Sequence, residues 1–101
     1  MRAQEIFRQK LYLVHQDGVR LAIYEVAIWK IPVSMEFPNG IKYRVWLSES
    51  GRTIFGIDNH RPKGHHLHLG NVEMPYLYRD VDELKTDAAN LIRQEGFIYE
   101  D

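Results

Sequence analysis

Four segments of strand composition follow one another with only short connections, and this succession constrains the fold of the 101-residue chain more than any other feature. β-Branched and aromatic residues favour strands, whereas Gln16-Asp17-Gly18 and Ser50-Gly51 favour tight turns. Strands joined by short connections usually pair with each other. The pattern therefore predicts an antiparallel meander. Its segments are Lys10–His15, Val19–Ile31, Ile41–Glu49 and Arg52–Asp58.

The third segment alternates clearly between two sets of side chains, as a strand with one buried face does. This alternation places Lys42 and Arg44 together on the more polar face. Val19–Ile31 is partly apolar on both faces, which indicates an interior strand. Between these two segments, a pair of prolines and Asn39-Gly40 predict a loop. Residues 1–9 fit either a short helix or an extension of the first strand.

One helix is predicted over Asp80–Glu95, because apolar residues recur there at helical spacing. Asp80 is placed to cap its start, with Glu83 three positions on, and Gly96 is placed to end it. Phe97–Tyr99 then adds a last strand or a clamp. We expect one α+β domain over residues 1–101, a mostly antiparallel sheet of four or five strands with the C-terminal helix packed on one face.

The composition excludes several classes of function. The chain has no cysteine, so disulfides, thiolate catalysis and cysteine zinc sites are excluded. It has no long apolar run and no N-terminal leader, so we expect a cytoplasmic protein that does not enter a membrane. Residues 41–70 carry five Lys and Arg and four His against two acids, whereas residues 71–101 carry eight acids against three bases. The middle of the chain is therefore a candidate anion-binding surface.

Residues 58–76 concentrate the reactive side chains, including four of the five histidines. In an extended backbone, His66 and His68 share one face, while His65, Leu67 and Leu69 occupy the other. Two adjacent imidazoles can serve as general acid and base near neutral pH, and neighbouring cations can bind a phosphate. This combination suits metal-independent RNA cleavage, which needs no cofactor. The candidate phosphate-binding residues are Lys42, Arg44, Arg61 and Lys63.

Three other interpretations of this stretch stay open. His66 and His68 fit a metal site of a metal-dependent hydrolase, although two histidines two positions apart are a weak pattern. The histidines also fit a loop in which imidazoles bond backbone groups, and Asp58-Asn59 favours a turn over a catalytic role. A non-enzymatic module that binds protein or nucleic acid would use the same surface. The further metal ligands would come from Asp58, His60 or Glu73.

Several short motifs occur in a fixed order along the chain. They are Ile57-Asp58-Asn59, then Lys63-Gly64-His65-His66-Leu67-His68, then Glu73-x-Pro75-Tyr76, followed by the capped helix. This order and spacing resemble the TumE-type toxins of bacterial toxin–antitoxin pairs over nearly the whole chain. The chain departs from the family pattern at His65, where an acidic residue is common, and at Ile57, where tyrosine is usual.

The resemblance implies a cytoplasmic toxin that is neutralised by a helix-turn-helix antitoxin, and it defines no mechanism by itself. We expect such a toxin to act on RNA or on the translation machinery. The sequence also leaves open whether the protein forms a homodimer, since exposed aromatic residues can support one. Positions that match the family imply supporting roles beside the histidine pair for Asp58, Asn59, Glu73 and Tyr76.

Overall fold

The computed structural model describes residues 3–60 and 62–100. Within these ranges, six strands form one antiparallel sheet in the order of the chain, and one helix follows them. The α+β class and the meander are confirmed, but the sheet has six strands where four or five were expected. The elements are β1 (Gln4–Val14), β2 (Leu21–Lys30), β3 (Ile41–Glu49), β4 (Arg52–Asp58), β5 (His66–Leu69), β6 (Val72–Pro75) and α1 (Val81–Gln94).

The last two strands form a hairpin that the sequence pattern reveals only in part. Gly70 turns the chain between them with a φ of +58°, a conformation that glycine adopts without strain. β5 lies in the stretch that was expected to be extended, whereas β6 is only four residues long and ends at Pro75. Proline removes a backbone donor, which an edge strand tolerates. β6 therefore forms a short outer edge of the sheet.

The hydrophobic core lies between one face of the sheet and α1. Alternate residues of the central strands, such as Tyr43 and Leu47, are buried, and so is Leu84 of the helix. Burial of a large apolar side chain contributes about 1.5–3 kcal/mol, so this layer decides which face of each strand is covered. Lys42 and Arg44 alternate with the buried residues and lie on the opposite face, which we call the open face.

The helix begins and ends where the sequence predicts. The Asp80 carboxylate accepts a hydrogen bond from the backbone N–H of Glu83 at 2.8 Å, which satisfies one of the free donors of the first turn. Gly96 follows the last turn with a φ of +88°, the left-handed conformation that commonly ends a helix. Leu84, Ala88 and Ile92 of α1 are buried at the predicted spacing and belong to the core.

The sequence left the structure open at both ends of the chain, before the first predicted strand and after the helix. Residues from Gln4 onward extend β1, so the helical alternative for residues 1–9 is wrong over the described part, and Met1 and Arg2 lie outside it. After the helix, Phe97 forms an isolated bridge with His15, and Ile98 N donates to Val14 O at 2.9 Å. The C-terminal residues therefore clamp the end of β1 and do not form a full strand.

We expect Asp80→Ala to lower the free energy of unfolding by about 1 kcal/mol, because the first turn of α1 loses its capping acceptor. Asp80→Asn keeps an acceptor oxygen in the same place and should stay close to wild type. Chemical denaturation of the three proteins measures the difference. Equal stability of the alanine and asparagine variants would contradict the capping role.

Candidate functional site

The two central histidines lie side by side on the open face. His66 pairs with Asp58 of β4 in the sheet register, and His68 pairs with Gly56. The centroids of the two imidazole rings are 4.6 Å apart. Leu67 of the same strand packs against the core on the other face, so the predicted alternation along β5 is confirmed.

The Asp58 carboxylate lies between the two rings. Its Oδ1 is 3.0 Å from Nε2 of His66, and its Oδ2 is 3.6 Å from Nε2 of His68. On the other side of the first ring, Nδ1 of His66 lies 2.7 Å from the carbonyl oxygen of Gly64. A carbonyl only accepts hydrogen bonds, so this Nδ1 carries a hydrogen and Nε2 is directed at Asp58. Both nitrogens of His66 are therefore oriented by the fold.

Asp58 also has the turn role that its neighbours in the sequence suggested. Oδ1 accepts a hydrogen bond from the backbone N–H of His60 at 3.2 Å, two residues further on. This contact holds the chain where it leaves β4. The turn role and the contact with the histidines therefore occur together in one buried carboxylate.

A second carboxylate borders the pair from β6. Oε1 of Glu73 is 3.4 Å from Nε2 of His66 and 3.9 Å from Nδ1 of His68. Nζ of Lys63 lies 2.8 Å from each of the two Glu73 oxygens. The hydrogen bond from Lys63 lowers the pKa of the Glu73 carboxyl, so this group is a carboxylate at neutral pH. Lys63, expected as a phosphate ligand, is thus engaged with Glu73.

An arginine and a tryptophan form the other wall. The guanidinium carbon of Arg44 lies 4.3 Å from the centre of the Trp46 ring, close enough for a cation–π contact. The indole N–H donates to Oγ1 of Thr53 at 3.0 Å, and the ring centroid is 5.1 Å from that of His68. Trp46 thereby links the Arg44 guanidinium to the histidine pair.

The position of Trp46 depends on a missing side chain. Its ring lies directly over Gly56, where an added Cβ would meet ring atoms at 2.3 Å. The sequence pattern alone assigned neither Trp46 nor Gly56 to the candidate site. The available signal was the glycine inside a strand, which often marks a close approach by another group.

These side chains enclose a shallow depression of about 500 Å³ on the open face, within the size range of small-ligand sites. Both cations predicted on β3 border it, Lys42 and Arg44. Arg61 lies outside the described residues, so its predicted phosphate-binding role has no structural account. The lining consists of Trp29, Lys42, Tyr43, Arg44, Trp46, Asp58, His60, Pro62, Lys63, His66, His68 and Glu73.

Two of the predicted supporting residues lie away from the histidine pair. Asn59 is 3 % exposed, and its side chain accepts from Tyr43 N at 2.9 Å and donates to Ile41 O at 2.7 Å. It therefore pins the end of β4 to β3. The Tyr76 hydroxyl donates to Asp87 of α1, on the covered side of the sheet. Both residues support the fold and do not border the depression.

His65 also faces away from the pair. Its ring stacks on Tyr78 at 4.8 Å, and its Nδ1 lies 2.9 Å from the hydroxyl of Tyr43. Burial lowers the pKa of His65, and the neighbouring His66 lowers it further. The imidazole of His65 is therefore neutral near pH 7 and belongs to an aromatic cluster that joins β3 to the segment before α1.

Comparison with known proteins assigns the family. The model of the family described as Toxin TumE matches residues 3–95. The chain therefore belongs to this family, which makes it a toxin component of a toxin–antitoxin system with an antitoxin as its partner. Neither a curated protein nor a solved structure matches the chain. In the described residues, no helix is long and apolar enough to span a membrane.

We expect Asn59→Ala to lower the free energy of unfolding by about 2 kcal/mol or more, because a buried and a part-buried backbone group of β3 lose their partners. Asn90→Ala, on the exposed side of α1, is the matched control and should stay near wild type. Thermal unfolding followed by circular dichroism compares them. If Asn59→Ala were as stable as the control, the pinning role would be wrong.

Gly56→Ala should cost about 1–3 kcal/mol of stability, because its methyl group displaces the Trp46 ring. The backbone of Gly56 does not have a positive φ, so the effect is steric. A double-mutant cycle with Trp46→Leu measures it by chemical denaturation. The glycine substitution should cost less in the Trp46→Leu background, and an equal cost in both backgrounds would contradict the proposed contact.

Proposed function

We propose that this toxin acts on RNA, and that His66 and His68 transfer the protons in a metal-independent cleavage. The observation that carries the proposal is the Asp58 carboxylate, which lies 3.0 Å from one Nε2 and 3.6 Å from the other. A buried carboxylate beside an imidazole orients the ring and stabilises its charged form during proton transfer. Two imidazoles that share one carboxylate suit a reaction that needs both an acid and a base.

Exposure and hydrogen bonding suggest separate roles for the two rings. The side chain of His68 is 23 % exposed, and both of its nitrogens lie beyond hydrogen-bond distance of the nearest carboxylates. The side chain of His66 is 10 % exposed and contacts Gly64 and Asp58. His68 is therefore the better candidate for the base that accepts a substrate proton. His66, whose Nε2 lies 3.0 Å from the Asp58 carboxylate, is the candidate acid.

The proposed step conserves atoms and charge. His68 removes the proton of a ribose 2′-hydroxyl, and the resulting oxygen attacks the adjacent phosphorus. The bond from phosphorus to the 5′-oxygen breaks, and His66 delivers its proton to that leaving oxygen. The products are a 2′,3′-cyclic phosphate and a 5′-hydroxyl end. Because the 2′-hydroxyl is the nucleophile, DNA of the same sequence is not cleaved.

Cations on the open face would hold the phosphate. Arg44 already lies against Trp46 at the border of the depression, and Lys42 lies on the same face of β3. A guanidinium held on an aromatic ring keeps its donors free for bidentate contact with phosphate oxygens. Arg61 and Lys63 are proposed for the same role, although Lys63 would first have to leave Glu73. Binding of RNA should weaken steeply with salt.

We place the toxin in the cytoplasm, where RNA and ribosomes are found. We propose that its antitoxin is a helix-turn-helix protein, which would neutralise the toxin for as long as the two proteins stay bound. A homodimer is compatible with the apolar side chains exposed on the open face, such as Tyr12 at 70 % exposure.

A specific observation favours a second candidate, a non-enzymatic binding module. Both nitrogens of His66 are engaged by the fold, and Lys63 is paired with Glu73. Such internal pairing is typical of a site that keeps its shape, and it can serve recognition of an antitoxin or a nucleic acid without any reaction. In that case single substitutions weaken complex formation, and no preparation cleaves RNA.

Replacement of either histidine tests the enzymatic proposal. His66→Ala and His68→Ala should each reduce cleavage of a single-stranded RNA by about 100-fold or more, because general acid and base catalysis contributes about 10²–10⁴-fold. The control is His65→Ala, whose imidazole lies on the opposite face of the sheet. Growth and total RNA integrity are followed after induction in a bacterial host. Cleavage of purified RNA, with product ends identified by mass spectrometry, completes the comparison.

The outcomes separate the candidates. Growth arrest with RNA fragmentation in the wild type and His65→Ala, lost in both other variants, supports the acid–base pair. If both variants kept wild-type growth inhibition at matched expression, the catalytic assignment would be wrong. Arrest without RNA loss indicates a different target. No arrest in any protein, together with binding to an antitoxin, favours the binding module.

A further inference from the structure

We infer that Asp58, His66 and His68 also form a binding site for a divalent transition-metal ion of the Zn²⁺ class, and that the bound ion switches off the proton transfer proposed above. The binding site depends on the three side chains alone. The inhibitory effect rests on the proposed function, because it concerns the reaction that the ion would block.

The spacing of the donor atoms suits such an ion. One donor atom from each of the three side chains can be chosen so that all three lie within 4.8 Å of one another. The contacts from Asp58 to the two Nε2 atoms are 3.0 Å and 3.6 Å. Ligand atoms about 2.0–2.1 Å from a tetrahedral Zn²⁺ lie about 3.3 Å apart, so small side-chain adjustments bring the donors to that spacing. Two imidazoles and one carboxylate are a donor set that Zn²⁺ commonly uses.

The surroundings orient these donors before any ion binds. The Nδ1 hydrogen of His66 is directed at the carbonyl of Gly64, 2.7 Å away, which leaves Nε2 to face Asp58. This is the contact by which metal-binding histidines are usually fixed, with the non-ligating nitrogen bonded to a carbonyl or carboxylate. Asp58 and His66 are each only 8 % exposed, so the donors are held inside the fold and are not a chance cluster on the surface.

The effect of the ion on the proposed reaction follows from the lone pairs. A metal-bound Nε2 of His68 cannot accept the 2′-hydroxyl proton, and a metal-bound Nε2 of His66 cannot carry a proton to the leaving oxygen. The ion and the transferred protons therefore compete for the same atoms. Three protein ligands also leave one coordination position open, as in catalytic zinc sites. The experiment must therefore distinguish an inhibitory ion from a catalytic one.

Binding is measured on the purified 101-residue chain without RNA. After treatment with a chelator and buffer exchange, ZnCl₂ is titrated by calorimetry, and CoCl₂ is titrated while visible absorption is recorded. We expect one ion per chain and the absorption bands of tetrahedral Co²⁺. Asp58→Asn and His68→Ala should each weaken binding at least 10-fold. His65→Ala, which removes an imidazole that stacks on Tyr78 on the opposite face of the sheet, should bind like wild type.

Thermal unfolding without metal confirms that each variant is folded. Asp58→Asn keeps the size of the side chain, so a loss of metal binding in this variant does not reflect a cavity. Failure of the wild type to bind a stoichiometric ion would overturn the proposed site. Equal affinity in the wild type, Asp58→Asn and His68→Ala would overturn it as well, because the ion would then be bound elsewhere.

Cleavage assays test the inhibitory effect. Cleavage of single-stranded RNA should fall at least 10-fold when one equivalent of Zn²⁺ is bound, and a chelator should restore it. Cleavage that requires Zn²⁺ and stops with chelator would overturn the inhibitory role and favour a metal-dependent hydrolase. If the protein binds Zn²⁺ but never cleaves RNA, the proposed function and the inhibitory role fall together, while the metal site stands.

Discussion

The pairing register between β4 and β5 is the constraint on which the candidate site depends. Ile57 lies opposite Leu67, and Asp58 lies opposite His66. Side chains alternate with a period of two, so a slip of one residue would expose the leucine and bury His66 in the core. The apolar contacts beneath the sheet thus hold the carboxylate and the imidazole together above it. Stability of the core and geometry of the site are consequences of one register.

The alternation of side chains made much of this arrangement predictable from the sequence. The faces of β3, the faces of β5 and the capped helix all follow from local periodicity, which the core enforces. The role of Asn59 was not predictable, because its bonds to Ile41 and Tyr43 cross to a distant part of the chain. The same holds for the Lys63–Glu73 pair, which depends on β6, a strand too short and too polar to have a clear pattern.

The negative charges of the site are buried or paired, so an approaching anion meets little repulsion. The acidic Asp58 is buried beneath the rings, and Lys63 neutralises Glu73 at the border. Arg44 lies on Trp46 with its guanidinium exposed to solvent, so the outermost charge beside this ring is positive. In the proposed function, such layering would let one depression hold carboxylates that orient the imidazoles and still bind a polyanion. Net charge of the whole chain, which is −1, conceals this local arrangement.

The strand order of the sheet has a consequence for synthesis of the protein. Every strand pairs with its neighbour in the sequence, so the contacts of the sheet are local and suit growth from the N-terminus as the chain emerges. The histidine pair lies on the fifth strand, and Leu67 beneath it packs on a core that includes residues of α1. Docking of the helix therefore completes the core that supports the strand of the histidine pair. Because α1 follows all six strands in the described chain, this support is in place only after the whole sheet has been synthesised.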